Sequence, residues 1–234
     1  MQFKLRHFVY LRKLIDMARK KKVAKKDIYT FFIDYYLENG EAPKSAYQLA
    51  KLHNFDEAQF YQFFGNMKAV EKSIFESFFD ETLILLDKSE DYADFNGRNK
   101  LLSFFFTFFE ILTANRSFVL SMLEIDKSST SYLKTVSSLK SKYFKFIETL
   151  EIEKLDLKDE RFEKIVGRSL DETLWIQLIV CFKFWIEDDS ASLEKTDIFI
   201  EKSINTGFDL INIKPLKSVL DLGKFLFHEK IHMN

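Results

Sequence analysis

Gln59 and Gln62 stand three residues apart on either side of Tyr61, in a segment, Asp56–Asn66 (DEAQFYQFFGN), without lysine or arginine. A glutamine amide carries a donor and an acceptor side by side and pairs bidentately with adenine, and a tyrosine reaches a phosphate or a thymine methyl. Positive charge gathers just ahead of this segment. Arg19–Lys26 (RKKKVAKK) supplies six positive charges, among them Lys25 and Lys26, and Lys44, Ser45, Gln48 and Lys68 flank the glutamines. Side chains of these kinds hold phosphate oxygens and fix a protein's register on a duplex. The chemistry expected of this set is recognition of double-stranded DNA.

Reaction chemistry has no comparable signal. The chain has no phosphate-binding glycine loop, no Gly-x-Ser-x-Gly elbow and no zinc-type cysteine pairing. His228 and His232 have the four-residue spacing of a metal pair on one helix face. No third ligand is identified for them, and a fraying helix end is the plainer reading. His53 closes a short helix, and His7 has no partner in the sequence. Acidic pairs such as Asp171-Glu172 and Asp188-Asp189 fall on polar faces or at helix ends, where carboxylates are usually solvated. We expect no enzyme, no metal and no cofactor.

The elements that must position the glutamines lie in residues 28–75. Ile28, Phe31, Phe32, Tyr35 and Tyr36 recur at three- and four-residue steps and predict a helix to Asn39. Gly40 ends it, and Pro43 keeps the connection from continuing as helix. Ser45 caps a second helix, 46–53, with Ala46, Leu49 and Ala50 facing inward. Asn54 suits a turn. Asp56 followed by Gln59 has the form of a capping box for a third short helix anchored by Phe60, Phe63 and Phe64. Gly65 and Asn66 close it, and a long helix runs from Met67 to about Ser89. Three short helices with a tight turn between the second and third make a helix-turn-helix.

This register resembles the amino-terminal pattern of the TetR-type transcriptional repressors. In that family a hydrophobic helix ends in Gly and is followed by a Ser/Thr cap, Ile-Ala, Gly-Val-Ser, Leu-Tyr-x-His-Phe and a Lys. Gly40, Ser45, Leu49-Ala50, Asn54-Phe55-Asp56 and Phe60-Tyr61-Gln62-Phe63-Phe64 fall into it without a gap. The departures are Asn54-Phe55-Asp56 for Gly-Val-Ser, Phe63 for the histidine, and Met67, beside Lys68, for the lysine. An uncompensated acidic third helix binds phosphate poorly, so the basic run before the first helix is the expected compensation. The resemblance implies a dimeric, ligand-responsive repressor. The same fold is known in a lipid-binding protein of quinone biosynthesis whose headpiece no longer reads DNA, which is the alternative reading.

Beyond Gly97 we read helices at about 98–114, 116–126, 129–151, 158–187, 193–212 and 215–229, with no strand-like alternation, so the fold class is all-α. The domains are a basic extension (1–26), a helix-turn-helix headpiece (27–75) and a helical ligand-binding and dimerisation body (76–234). Leu101–Ala114 and Leu174–Ile186 are apolar nearly all round and must be buried on several sides. They either enclose a ligand cavity or form a dense core. The cavity would have Phe105, Phe108, Phe109, Trp175 and Phe182 as walls and Glu110, Gln177 and Lys183 as anchors for a small apolar ligand. The resemblance further implies that the last two long helices form a four-helix bundle with a twofold mate, through Phe184, Trp185, Ile198, Ile204 and Phe208, with Gly207 allowing close approach.

Composition fits this layout. Hydrophobic residues make up 47% and charged residues 30%, with two prolines, six glycines and 27 phenylalanines. The phenylalanines reflect either an aromatic core or a biased genome. Ten Lys/Arg against one Asp give residues 1–26 a charge of +9, so the net charge of −1 leaves −10 on residues 27–234. A single cysteine, Cys181, suits a reducing cytoplasm, and no apolar stretch is long enough to span a bilayer. No signal peptide is visible. Residues 1–18 have the pattern of an amphipathic helix, although Met17-Ala18 before the basic run also has the form of an ordinary chain start.

Overall fold

The computed structural model describes residues 21–123, 133, 136–150, 152 and 160–212, the side chains of 160–169 and 210–212 excepted. The expected helices at 1–18 and 215–229, the first part of the one at 129–151, and His7, His228 and His232 lie outside the described residues. Among those described there is no strand, only an isolated parallel bridge between Lys21 and Phe55. The fold is all-α, a three-helix helix-turn-helix headpiece followed by a larger helical body. Chain packing divides between Ile74 and Phe75.

The headpiece comprises α1 (Lys25–Asn39), α2 (Ala46–Leu52), α3 (Glu57–Tyr61) and the start of α4 (Met67–Asp87). Its punctuation is local chemistry. Gly40 takes φ 70°, the left-handed conformation open to glycine, and its N–H donates to the Tyr36 carbonyl at 2.8 Å. Ser45 Oγ accepts the Gln48 N–H at 3.1 Å, Asp56 Oδ1 the Ala58 N–H at 3.0 Å, and Asn66 Oδ1 the Ala69 N–H at 2.9 Å, each capping the helix it precedes. Asn54 stands at φ 53°, a left-handed turn that asparagine tolerates, which is why a residue other than glycine serves in this turn. Ile28, Phe32, Leu49, Phe60, Val70 and Ile74 have no exposed surface, and each such side chain contributes roughly 1.5–3 kcal/mol. Phe63, expected as a third anchor, is 40% exposed because α3 ends at Tyr61 and turns it outward.

The body contains the rest of α4, a 3-10 turn (Tyr92–Asp94), α5 (Gly97–Ala114), α6 (Arg116–Met122), α7 (Lys140–Glu148), α8 (Glu160–Glu187), a second 3-10 turn (Ala191–Leu193) and α9 (Glu194–Asn212). α5 packs against α9, and α8 against both α7 and α9. Leu101, Phe104, Phe105, Phe108, Phe109 and Leu112 form one buried stripe at helical spacing. Phe104 stacks on Phe146 at 4.4 Å and meets Phe79 at 5.2 Å; Phe109 meets Trp185, and Trp185 meets Phe182 at 5.7 Å. Much of the phenylalanine therefore serves a continuous aromatic core.

The junction from α8 to α9 is polar and closed. Arg116 lies over the Trp185 ring at 4.6 Å and donates to the carbonyls of Trp185 (2.8 Å), Ile186 (3.3 Å) and Asp188 (2.9 Å), orphan acceptors at the end of α8. The Asp188 carboxylate accepts from the N–H and hydroxyl of Ser190 and of Thr196, at 2.6–2.9 Å. Asp188, expected as solvated, is only 7% exposed. Burial alone would push its carboxyl up, but these four hydrogen bonds hold it well below the usual carboxylate range.

Gly97 opens α5 under the carbonyl oxygen of Leu150, which lies too close to admit a Cβ without a shift. Gly97→Ala is expected to destabilise the body by roughly 2 kcal/mol, as overpacking does, read as a lower denaturant midpoint with an unchanged m-value.

Candidate nucleic-acid interface

The described part of the basic segment, residues 21–26, is part of the headpiece. Lys25 and Lys26 form the first turn of α1, although cations oppose the positive end of a helix dipole. Asp27 offsets this by accepting the Ala24 N–H at 2.8 Å. The Lys25 ammonium lies over the rings of Tyr29 (5.6 Å) and Phe64 (5.5 Å), and that of Lys21 over Phe31 (5.5 Å). Lys21, Lys22, Lys25 and Lys26 are exposed, whereas Val23 is 4% exposed and anchors the segment.

One backbone bond and the Gln59 side chain fasten Lys21 and Val23 to the turn and to α3. The Lys21 N–H donates to the Asn54 carbonyl at 2.8 Å. Gln59 Nε2 donates to the Lys21 carbonyl at 3.1 Å, and Gln59 Oε1 accepts the Val23 N–H at 3.0 Å. Two expectations are corrected here. Gln59 does not close a capping box with Asp56, and its amide, engaged on both sides by the basic segment, is not free for a base edge. The signal that points to this is Val23, an apolar residue in a lysine run.

The other expected contacts fall into two groups. Gln48 is also engaged within the headpiece, its Oε1 accepting the Lys44 N–H at 2.9 Å and its Nε2 donating to Tyr35 Oη at 2.7 Å. Ser45 is the cap of α2. The Lys44 ammonium makes a long, exposed contact to Glu41 at 3.9 Å. Tyr61 is 57% exposed, and Gln62 and Lys68 are exposed. Tyr61 Oη reaches Glu57 at 3.4 Å. His53 stacks on Phe31 at 3.9 Å, and burial lowers its pKa, partly countered by Asp34 and Glu38.

In the body, Phe105, Phe108, Phe109, Trp175 and Phe182 are all buried, as pocket walls or core residues must be. Glu110 and Lys183 are exposed, Lys183 within 3.8 Å of Glu187, so neither anchors an apolar interior. Gln177 is half-buried and donates to Ser203 Oγ at 3.3 Å. A cleft of about 350 Å³ lies elsewhere, between the second half of α4 and α7. Phe79, Leu83, Leu86 and Phe146 line it, with Tyr92 and Thr149, and the Lys142–Asp80 ion pair (2.7 Å) spans its wall.

The expected interface residues also separate. Trp185 and Ile204 have no exposed surface and Phe208 only 9%, with Arg98 over its ring, so these three serve the protomer's own core. Trp185 Nε1 donates to Thr113 Oγ1 at 3.0 Å. Phe184 is half-buried and stacked on Phe199 at 4.5 Å, Ile198 is 50% exposed, and a Cβ on Gly207 would meet nothing closer than Gln177 Nε2 at 4.0 Å. Leu174–Ile186, expected to be buried on several sides, buries Leu174, Trp175, Leu178, Cys181, Phe182 and Trp185 but leaves Ile176 and Val180 exposed.

Among the described residues no group of His, Cys, Asp or Glu could hold a metal ion, and no helix is long and apolar enough to cross a membrane. Cys181 is buried, and burial pushes its thiol up to about 11.

Residues 100–226 match the family model described as tetracyclin repressor-like, C-terminal domain. No curated protein matches the chain. The matched span is more than half of the sequence and runs from α5 through α9, the helices whose aromatic core is described above. It joins a helix-turn-helix headpiece to the kind of body that the amino-terminal motif led us to expect, and on that ground the chain belongs to the tetracycline repressor-like family as a TetR-type regulator.

Proposed function

We propose that the chain is a DNA-binding transcriptional repressor, a cytoplasmic homodimer whose operator affinity is set by a small apolar ligand in the body. The observation that supports it most is the row of exposed lysines fastened to the helix-turn-helix through Asn54 and Gln59. This supplies the phosphate-neutralising charge that α3 lacks. In this reading Lys25, Lys26, Lys44 and Lys68 hold phosphates, Ser45 presents the start of α2 to the backbone, and Tyr61 and Gln62 read bases. A twofold mate covers Ile176, Val180 and Ile198, with Phe184 and Gly207 beside them, and presents the second headpiece to a second half-site. The ligand enters the cleft against Phe79 and Phe146, whose rings lead inward to Phe104. It shifts operator affinity only as far as it prefers one state of the body over the other.

Repeated selection from a random duplex pool tests this reading. The expected result is a palindromic site with two half-sites a helical turn or a multiple apart. A pool that never enriches contradicts it and favours a TetR-fold lipid or isoprenoid carrier, which the acidic α3 and the aromatic-lined cleft also suit. Solvent extraction of the purified protein would then recover the lipid.

A further inference from the structure

We infer that Gln59 is a positioning residue: its side-chain amide takes the place of the N–H and C=O of one strand residue and fixes the basic segment against α3, so that Lys21 and Lys22 act as part of the recognition surface. The inference rests on the DNA-binding reading above, but the docking itself does not.

The geometry is that of a ladder rung. In a parallel β-ladder the N–H of one residue donates to a carbonyl of the neighbouring strand, and the C=O of the same residue accepts the N–H two residues further on. Gln59 does this with a side chain. Nε2 donates to the Lys21 carbonyl at 3.1 Å, and Oε1 accepts the Val23 N–H at 3.0 Å. The Lys21 N–H completes the pairing on the Asn54 carbonyl at 2.8 Å, and the Val23 side chain is buried beneath. Only an amide carries both a donor and an acceptor in this arrangement; a glutamate would accept from Val23 and repel the Lys21 carbonyl. A tail free in solution loses conformational freedom when it settles on phosphates, whereas a segment already held in place has lost it on folding. Gln59 thus acts on DNA affinity through the lysines rather than through a base.

Two measurements on the full chain test this. Without DNA, amide hydrogen exchange at Val23 is expected to be slowed in the wild type and at least tenfold faster in Gln59→Ala. On a random duplex, which needs no operator, Gln59→Ala is expected to weaken binding about tenfold and make the slope of log K against log salt shallower by about one. Lys21→Gln/Lys22→Gln should cost much less affinity in the Gln59→Ala background than in the wild type, because both changes act through the same lysines. Fast exchange at Val23 in the wild type would overturn the docking. A variant with a wild-type salt slope but altered sequence preference would overturn the positioning role and return Gln59 to base reading. Failure to enrich an operator leaves both measurements readable.

Discussion

Replacing Lys21, Lys22, Lys25 and Lys26 together by glutamine is expected to weaken binding to any duplex about a thousandfold near physiological salt while leaving the headpiece folded. Each phosphate neutralised by a lysine contributes about 0.9 to the slope of log K against log salt, so four contacts contribute between three and four. Within Asp56–Asn66 there is no other cation to take their place. Folding should be nearly indifferent. Lys25 and Lys26 stand at the positive end of the α1 dipole, where removing a cation recovers roughly 0.3–1 kcal/mol. Loss of the Lys25 contacts with Tyr29 and Phe64 offsets this by about the same amount. Fluorescence anisotropy across a salt series, with a thermal melt of the same variant, separates the two effects. Affinity within a few-fold of wild type at an unchanged melting temperature would remove the basic segment from the interface.

The largest effect on stability is expected at Asp188. Asp188→Ala removes the acceptor of four hydrogen bonds and leaves the Ser190 and Thr196 donors unpaired, two of them at a position with 1% exposure. Hydrogen bonds to a charged group contribute roughly 1.5–3 kcal/mol each, but some donors will find water, so a net loss of about 3 kcal/mol is expected. The pH dependence has a definite sign. The folded carboxyl titrates below its unfolded value, so its contribution is fully present above the ordinary aspartate pKa, near 3.9, and is lost as pH falls through the lowered folded value. Denaturant midpoints taken from pH 7 down into the acid range should fall steeply for the wild type. For Asp188→Asn the acid limb should be flatter, from a lower plateau. Equal acid limbs would show that another carboxylate controls this junction.

What the sequence disclosed and what it hid divides along local and long-range chemistry. Gly40, Ser45 and Asp56 act on backbone groups within four residues of themselves, so their roles as stop and cap were readable in order along the chain; Asn66, read as closing α3, caps α4 instead. The buried stripe of α5 was equally readable, because 3.6-residue spacing records one face. Gln59 was not. Aspartate followed by glutamine three residues on has the form of a capping box, but the partner that won lies 36 residues away at Val23. Asp188 failed for a related reason: at a helix end a carboxylate is usually solvated, and only the return of α9 brings Thr196 over it. In α8 the apolar composition was plain, but composition does not say which residues a protomer buries. Trp185 turned inward to Thr113, while Ile176 and Val180 turned out. Glu110 could not be assigned to a cavity or to solvent from its neighbours, and it is exposed.

The most direct test of the account is the ratio of two dissociation constants for the purified full chain at one physiological salt concentration. One is for duplex fragments tiled across the DNA upstream of its own coding sequence, the other for a random duplex of equal length. A TetR-type repressor with its lysines fastened beside α3 should bind one fragment about a thousandfold or more tighter than the random duplex. Equal, weak binding to every fragment would contradict the repressor reading.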